Sequence, residues 1–153
     1  MTVLVRRATV ADVDVLVDLR FAFVTEFAPD EGDDDPARVS VAEYLRRALP
    51  SEEFIAWVVE EGGEVVATGG MVVYERMMRS KGAGVGLEGY ILNVYTLPSH
   101  RRRGYALRMM EELLGCASER GIRLTLLATD DGRPLYEKLG FTNDERTYRW
   151  WPT

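Results

Sequence analysis

Residues 97–107 read LPSHRRRGYAL, and this stretch decides how the fold is interpreted. It follows the apolar run YILNVYTL (90–97), which predicts a strand, and it leads into residues 104–120, where apolar residues recur at helical spacing. The three arginines therefore lie at a helix N-terminus, where the first backbone N–H groups have no partner within the helix and attract anions. Gly104 lets an anion approach the backbone closely. The stretch predicts a binding site for a diphosphate.

The rest of the chain alternates between helical and strand patterns. The predicted elements, in chain order, are a strand over 2–7, helices over 10–27 and 37–49, strands over 54–60, 64–75 and 90–97, a helix over 104–120, a strand over 122–129, a short helix over 133–140 and a closing strand over 147–151. The order β-α-α-β-β-β-α-β-α-β predicts an α/β (α+β) fold with a mixed β-sheet flanked by helices. We expect a single domain over residues 1–153.

The composition narrows the classes of function. Lys and Arg number 19 and Asp and Glu number 25, so the formal net charge is −6. This charge argues against a nucleic-acid partner and suits a cationic substrate such as an amine. The single cysteine, Cys116, allows no internal disulfide, and the single histidine argues against a metal site. Because the N-terminus also carries no apolar run long enough for a signal peptide or membrane span, we expect a cytoplasmic protein without a membrane partner.

Two motifs give the chain a family resemblance. Residues 101–106 (RRRGYA) match the pattern [Q/R]-x-x-G-x-[G/A] that the GNAT superfamily of acyl-CoA-dependent N-acetyltransferases carries between a strand and a helix. The later segment RPLYEKLGF (133–141) resembles the lYeklGF segment of the same family, and VRRATVADVDVLVDL (5–19) is similar to its first strand and helix. The resemblance covers nearly the whole chain and implies a splayed, GNAT-like sheet.

The resemblance implies acetyl-CoA as the acetyl donor and coenzyme A as a product. Backbone amides of the loop from Arg102 to Ala106 would hold the pyrophosphate, and backbone groups of the preceding strand would contact the pantetheine arm. Thr129 replaces an asparagine that many family members carry seven residues before a tyrosine, so this contact is either taken over by a hydroxyl or lost. The residues implied for acetyl-CoA binding are Val94, Tyr95, Thr96, Arg101, Arg102, Arg103, Gly104, Tyr105, Ala106 and Thr129.

The resemblance also implies direct attack of a primary amine of a small molecule on the thioester, within a ternary complex. Tyr136 matches the family's tyrosine and would donate a proton or hydrogen bond to the leaving thiolate. Since an alkyl ammonium must lose a proton before it attacks, Glu88 and Glu26 are candidate bases, and a relay through bulk water is the alternative. Aromatic residues could line the acceptor pocket or belong to the core; these are Phe21, Phe23, Phe27 and Tyr74.

Several alternatives remain open from the sequence. The acidic loop over 29–36 (PDEGDDDP) either keeps the protein soluble or attracts a cationic acceptor. The connection over 79–86 (RSKGAGVG) is expected to be flexible. The whole protein could be an acyl-CoA-binding regulatory module without transfer activity, or a protein or peptide N-terminal acetyltransferase. A homodimer is a further expectation, because dimers are common in the family.

Overall fold

A computed structural model of the chain describes residues 2–30, 32–79 and 82–153. Its strands and helices, in chain order, are β1 (Val3–Arg7), α1 (Val13–Phe27), α2 (Asp35–Ser51), β2 (Phe54–Glu61), β3 (Glu64–Met77), β4 (Val85–Thr96), α3 (Tyr105–Arg120), β5 (Ile122–Leu126) and α4 (Arg133–Lys138). Short 3-10 turns precede α1 and α3. This architecture confirms the predicted α/β class with its mixed sheet.

The five strands form one sheet in the order β1-β2-β3-β4-β5. The first four strands are antiparallel neighbours, whereas β4 and β5 run parallel. Parallel pairing begins at Leu87 with Ile122 and stops at Ile91 with Leu126. Residues 92–96 of β4 therefore have no partner on the β5 side, and the sheet opens between these two strands.

Helices cover both faces of the sheet. On one face, α3 buries Met109, Met110 and Leu113 completely against the inward side chains of β2, β3 and β4. On the other face, α1 and α2 bury a second cluster that includes Leu16 and Leu45. This division leaves the opening between β4 and β5 bordered by α1 on one side and by the start of α3 on the other. No helix within the described residues is both long and apolar enough to cross a membrane.

The predicted closing strand is wrong. Residues 147–151 form no strand, and the side chains of Tyr148, Trp150 and Trp151 are exposed at 96%, 81% and 74%. Strand propensity of aromatic residues depends on packing against neighbouring side chains and on burial, and these three side chains are exposed. The segment does not pair with β5, which stays an edge of the sheet. The strand predicted over 122–129 also ends early, at Leu126.

The connection predicted over 79–86 is partly strand. Pairing between β3 and β4 continues outward to Met77 with Val85, so β4 begins five residues before the predicted strand. Residues 80 and 81 lie outside the described part of the chain. The second helix likewise begins earlier than predicted, because the Asp34 side chain accepts a hydrogen bond from the backbone N–H of Ala37 and caps α2.

Candidate active site

A cleft of about 1250 Å³ lies where β4 and β5 stop pairing. Its walls come from the second half of α1, residues 90–96 of β4, residues 104–107 at the start of α3, residues 126–129 after β5, and α4. The predicted site residues that line it are Glu26, Val94, Tyr95, Thr96, Arg101, Arg102, Gly104, Tyr105, Ala106, Thr129 and Tyr136. Two predicted residues, Arg103 and Glu88, do not line it.

One end of the cleft is the N-terminus of α3. Gly104 precedes the helix with φ 78°, and no side chain caps the helix there. The first i to i−4 backbone hydrogen bond at this end of the helix is donated by the N–H of Arg108 to the carbonyl of Gly104. The N–H groups of residues 105–107 therefore have no partner of this kind. A Cβ on Gly104 would meet no atom within 4 Å, so the space in front of these donors is open to an anion.

Arg101 ties the loop before α3 to the end of α1. Its Nη2 donates to Oε1 of Glu26 at 2.7 Å, and its Nε donates to the carbonyl of Thr96 at 2.9 Å. The Tyr95 hydroxyl also donates to Glu26, at 3.1 Å. The hydrogen bond from Arg101 is the largest cause that holds the pKa of Glu26 below its ordinary value. Glu26 is therefore an ionised carboxylate inside the cleft.

Glu61, at the end of β2, fixes the other side of the same loop. Its carboxylate accepts hydrogen bonds from the Tyr105 hydroxyl and from Arg103, both at 2.8 Å, and His100 Nε2 lies 2.8 Å from it. The Tyr105 hydrogen bond leads the interactions that lower the pKa of Glu61. Arg102, with φ 65°, lines the cleft and has no carboxylate partner among the described residues. Of the three arginines, only Arg102 is left to meet a ligand with its side chain.

Tyr136 lies at the wall of the cleft formed by α4. Its ring packs edge-on against Phe141, with the centroids 5.9 Å apart, and burial raises the pKa of the phenol. A Cβ on Gly132 would lie 2.9 Å from the Tyr136 ring, so the glycine is what lets the ring approach the backbone. Thr129 Oγ1 accepts a hydrogen bond from the Gly132 N–H at 3.2 Å, which fixes this turn. Tyr136 is therefore a neutral phenol, held in place by its neighbours.

Glu88 lies on β4 but outside the cleft. Tyr74 donates to its Oε2 at 2.9 Å, and Arg76 donates to its Oε1 at 2.8 Å. Burial opposes ionisation of Glu88, but the hydrogen bonds from Arg76 and Tyr74 outweigh it and keep its pKa below the ordinary value. The structure thus separates the two predicted bases: Glu26 lies in the cleft, and Glu88 is held in an ion pair on the β3–β4 ribbon.

The aromatic residues also divide between the cleft and the rest of the molecule. Phe23 and Phe27 line the cleft, with their centroids 4.9 Å apart. Phe21 points the other way: it is buried in the core under α2, and the Arg38 guanidinium stacks on it. Tyr74 is committed to Glu88. The interpretation of Phe21 and Tyr74 as pocket-lining residues is therefore wrong.

The acidic loop has local partners. Asp33 pairs with Arg38 at 2.7 Å, and Asp34 caps α2. Neither residue lines the cleft, and neither do Asp30 and Asp35. Residue 31, the remaining acid of the loop, lies outside the described residues. Two of the acidic residues, Asp33 and Asp34, therefore stabilise the start of α2, and neither contacts the cleft.

Sequence reasoning missed Arg20 and Asn93. Arg20, on the cleft side of α1, donates from Nη1 to Asn93 Oδ1 at 2.8 Å. Asn93 adopts φ 60° in a bulge of β4, where the register with β3 shifts. A signal was present in the sequence, because Arg20, Phe23 and Phe27 are spaced i, i+3 and i+7 and so share one face of a helix.

The comparisons with known proteins identify the family of the chain. The sequence model of the acetyltransferase (GNAT) family matches residues 16–141, so the chain belongs to the GNAT acetyltransferase family. A comparison with the curated proteins gives no match. Among solved structures, the chain is similar to a predicted acetyltransferase from Clostridium acetobutylicum crystallised with acetyl-CoA, with TM-score 0.86, 27% identity, and 97% of this chain and 96% of that one covered.

Two further solved structures extend the likeness. A GCN5-related N-acetyltransferase from Ralstonia eutropha is similar with TM-score 0.81 and 28% identity, covering 98% of this chain and 99% of that one. Glucosamine-6-phosphate N-acetyltransferase from Arabidopsis thaliana has TM-score 0.73 and 19% identity, covering 99% of each chain. At that identity the last comparison shows the fold alone.

Proposed function

We propose that the protein transfers an acetyl group from acetyl-CoA to the primary amine of a small molecule, by direct attack within a ternary complex. The observation that carries the proposal is the uncapped N-terminus of α3, which opens onto the cleft between β4 and β5. Membership of the GNAT acetyltransferase family supports acyl transfer. The acetyl-CoA in the similar Clostridium structure supports acetyl as the acyl group.

The residues at the α3 end of the cleft fit coenzyme A. Backbone N–H groups of residues 105–107 would hold the diphosphate, with Gly104 leaving the space open and Arg102 adding a positive charge. Backbone groups of residues 94–96, beyond the last pair with β5, would contact the pantetheine arm. When bound, acetyl-CoA supplies the thioester carbonyl that the amine attacks.

Tyr136 is the proposed hydrogen-bond donor to the departing sulfur. Burial raises its pKa above the ordinary value near 10, so the phenol is protonated at neutral pH. The Tyr136 hydroxyl forms no hydrogen bond with any of the described residues. A positioned phenol of this kind stabilises a thiolate without complete proton transfer.

Glu26 is the proposed receptor of the acceptor's ammonium group. It is the candidate carboxylate that lines the cleft, and Arg101 keeps it ionised. The same ion pair makes Glu26 a weak base, because a low pKa means a low affinity for the proton. We therefore propose that Glu26 orients the amine and that water in the open cleft carries the proton away.

Two measurements test the proposal. Calorimetry should show binding of acetyl-CoA, and no binding at high micromolar concentration would overturn the assignment. Release of free thiol should then depend on an added amine, measured over amino acids, polyamines, aminoglycosides and peptides. Binding without thiol release for any amine would favour the regulatory module, and release with peptides alone would favour a peptide acetyltransferase.

A homodimer remains a proposal, supported by the C-terminal end of the chain. The outer edge of β5 is unpaired within the described sheet, and Tyr148, Trp150 and Trp151, which follow α4 in the chain, are exposed. We propose that this segment contacts a second copy, which sedimentation analysis would detect as twice the monomer mass. A monomer at all concentrations would refute it. The cytoplasmic location stays a prediction from the single cysteine.

A further inference from the structure

Arg20 is a positive charge in the cleft without a counter-charge. Its recorded side-chain partner is the neutral amide oxygen of Asn93, at 2.8 Å, and within the described ranges no carboxylate forms an ion pair with it. Many other arginines of the chain have a carboxylate oxygen within 3.1 Å; these are Arg6, Arg38, Arg76, Arg101, Arg103 and Arg120. Arg101 also lines the cleft, and Arg20 differs from it in having no carboxylate partner among the described residues.

The side chain of Arg20 is partly buried among aromatic residues that line the cleft. Burial is the cause that lowers the pKa of Arg20, yet a guanidinium stays protonated throughout the physiological range. Phe23 and Phe27 follow Arg20 on the same face of α1, and Phe23 meets the Tyr95 ring edge-on at 5.7 Å. In such an apolar setting an unpaired charge is costly and an ion pair is strengthened.

The guanidinium of Arg20 fits a carboxylate group of the ligand. Glu26 already pairs with Arg101, whereas Arg20, on the same wall of the cleft, has no carboxylate partner among the described residues. Asn93 occupies Nη1 alone, which leaves Nη2 and Nε of the guanidinium for a ligand. Two adjacent N–H donors match the two oxygens of a carboxylate. A phosphate group carries about −1.5 to −2 charges at neutral pH and would leave part of its charge unpaired here.

We infer that the acceptor is an amino acid: a primary amine whose carboxylate is bound by Arg20 and whose apolar side chain packs on Phe23 and Phe27. The inference rests on the proposed function, since it names the substrate class of the same cleft. Glu26, on the same helix, then receives the ammonium group while Arg20 receives the carboxylate. The unpaired guanidinium thus favours an acceptor that carries a carboxylate, whereas the net charge of −6 alone suggested a simple cation.

The first experiment uses the unaltered protein and matched acceptors. Thiol release is measured with phenylalanine, phenylalaninamide, phenethylamine and an amino sugar phosphate, all with acetyl-CoA in excess. We expect kcat/KM for phenylalanine to exceed that for the amide and the simple amine by at least tenfold. Equal or better use of the amide overturns the role of the carboxylate, and preference for the amino sugar phosphate overturns the choice of a carboxylate over a phosphate.

The second experiment replaces Arg20. In Arg20→Gln we expect KM for phenylalanine to rise at least tenfold, KM for acetyl-CoA to stay within twofold, and the ratio of kcat/KM for phenylalanine to kcat/KM for phenylalaninamide to fall at least tenfold. In Arg20→Lys the KM for phenylalanine should lie between those of the parent protein and Arg20→Gln, because lysine keeps the positive charge and lacks the two adjacent N–H donors of arginine. A purely structural arginine would instead lower Tm on replacement and leave the ratio of phenylalanine to phenylalaninamide unchanged, which would refute the inference.

A binding measurement separates this inference from the proposed function. Calorimetry with phenylalanine and phenylalaninamide, in the presence of coenzyme A, measures binding to the unaltered protein and does not depend on acetyl transfer. If phenylalanine binds at least tenfold more tightly than its amide but no thiol is ever released, the inference holds and acetyl transfer fails. If acetyl transfer occurs with amines and phenylalanine has no advantage in binding or rate, transfer holds and the inference is wrong.

Discussion

Replacing Gly104 with alanine tests the coenzyme A site, and Gly121→Ala is the matched control. The two glycines flank α3: Gly104 precedes it with φ 78°, and Gly121 follows it with φ 66°. At both positions a Cβ would meet no atom within 4 Å. The two substitutions therefore impose the same backbone strain and create no clash within the protein. They differ in that the space beside Gly104 belongs to the cleft and the space beside Gly121 does not.

The expected magnitudes follow from this comparison. A left-handed conformation costs a residue with a Cβ about 1–2 kcal/mol, so both variants should lose a similar amount of stability. For a chain of this size each kcal/mol lowers Tm by about 2–4 °C. In Gly104→Ala the added methyl group also displaces the diphosphate from the helix N–H groups. Loss of one such charged hydrogen bond costs about 1.5–3 kcal/mol, which raises the Kd for acetyl-CoA about tenfold to a hundredfold.

Calorimetry gives the Kd for acetyl-CoA, and thermal unfolding gives Tm, for both variants and the parent protein. We expect Gly121→Ala to match Gly104→Ala in Tm and to keep the parent's Kd within about twofold. An unchanged Kd in a folded Gly104→Ala would refute the assignment of the α3 N-terminus to the diphosphate. Equal losses of affinity in the two variants would show that strain, and not the open space, is responsible.

Three further predictions follow from the site. Tyr136→Phe should lower kcat by about 10²-fold without weakening acetyl-CoA binding. In a pH–rate profile we expect kcat of the parent protein to fall as pH rises through the raised pKa of the phenol, and Tyr136→Phe should lack this fall. Arg102→Ala should raise the Kd for acetyl-CoA several-fold, about 1 kcal/mol, whereas Arg103→Ala should chiefly lower Tm, as calorimetry and unfolding will show. Glu88→Gln should keep kcat. Because folding lowers the pKa of Glu88, the ionised carboxylate stabilises the folded protein above the pKa that it has in the unfolded chain, and this stabilisation is lost as pH falls through its pKa in the folded protein. The free energies of unfolding of the two proteins should therefore converge at low pH.

The parts of this fold that sequence predicts well depend on local signals. The turn between β2 and β3 and the start and end of α3 follow from glycines next to the elements that they bound. The loop before α3 was placed correctly for the same reason, since a strand, a basic turn and a helix follow one another within a few residues. Residues 147–151 had an equally good local pattern and formed no strand, because strand propensity depends on packing against neighbouring side chains and the aromatic residues of this segment are exposed.

The side-chain geometry of the cleft depends on contacts between distant parts of the chain. Arg101 meets Glu26 across 75 residues, and Arg20 meets Asn93 across 73. Sequence alone singles out Arg101 as the arginine of the motif but does not give the partners of the three side chains. The fold assigns them different ones, because the end of α1 and the end of β2 each supply a carboxylate, to Arg101 and Arg103, and none reaches Arg102 among the described residues.

These pairings connect the two ends of the cleft mechanically. Arg101 belongs to the loop that would hold the diphosphate, and Glu26 belongs to the helix that carries Arg20. A ligand that displaced the loop would therefore also displace Glu26 on α1, through its ion pair with Arg101. The Tyr95 hydroxyl, which donates to Glu26, contributes a second contact. Under the proposed function, such a link would make the affinities for acetyl-CoA and for the acceptor interdependent. Arg101, the arginine that matches the family motif, would then connect the proposed donor site to the proposed acceptor site.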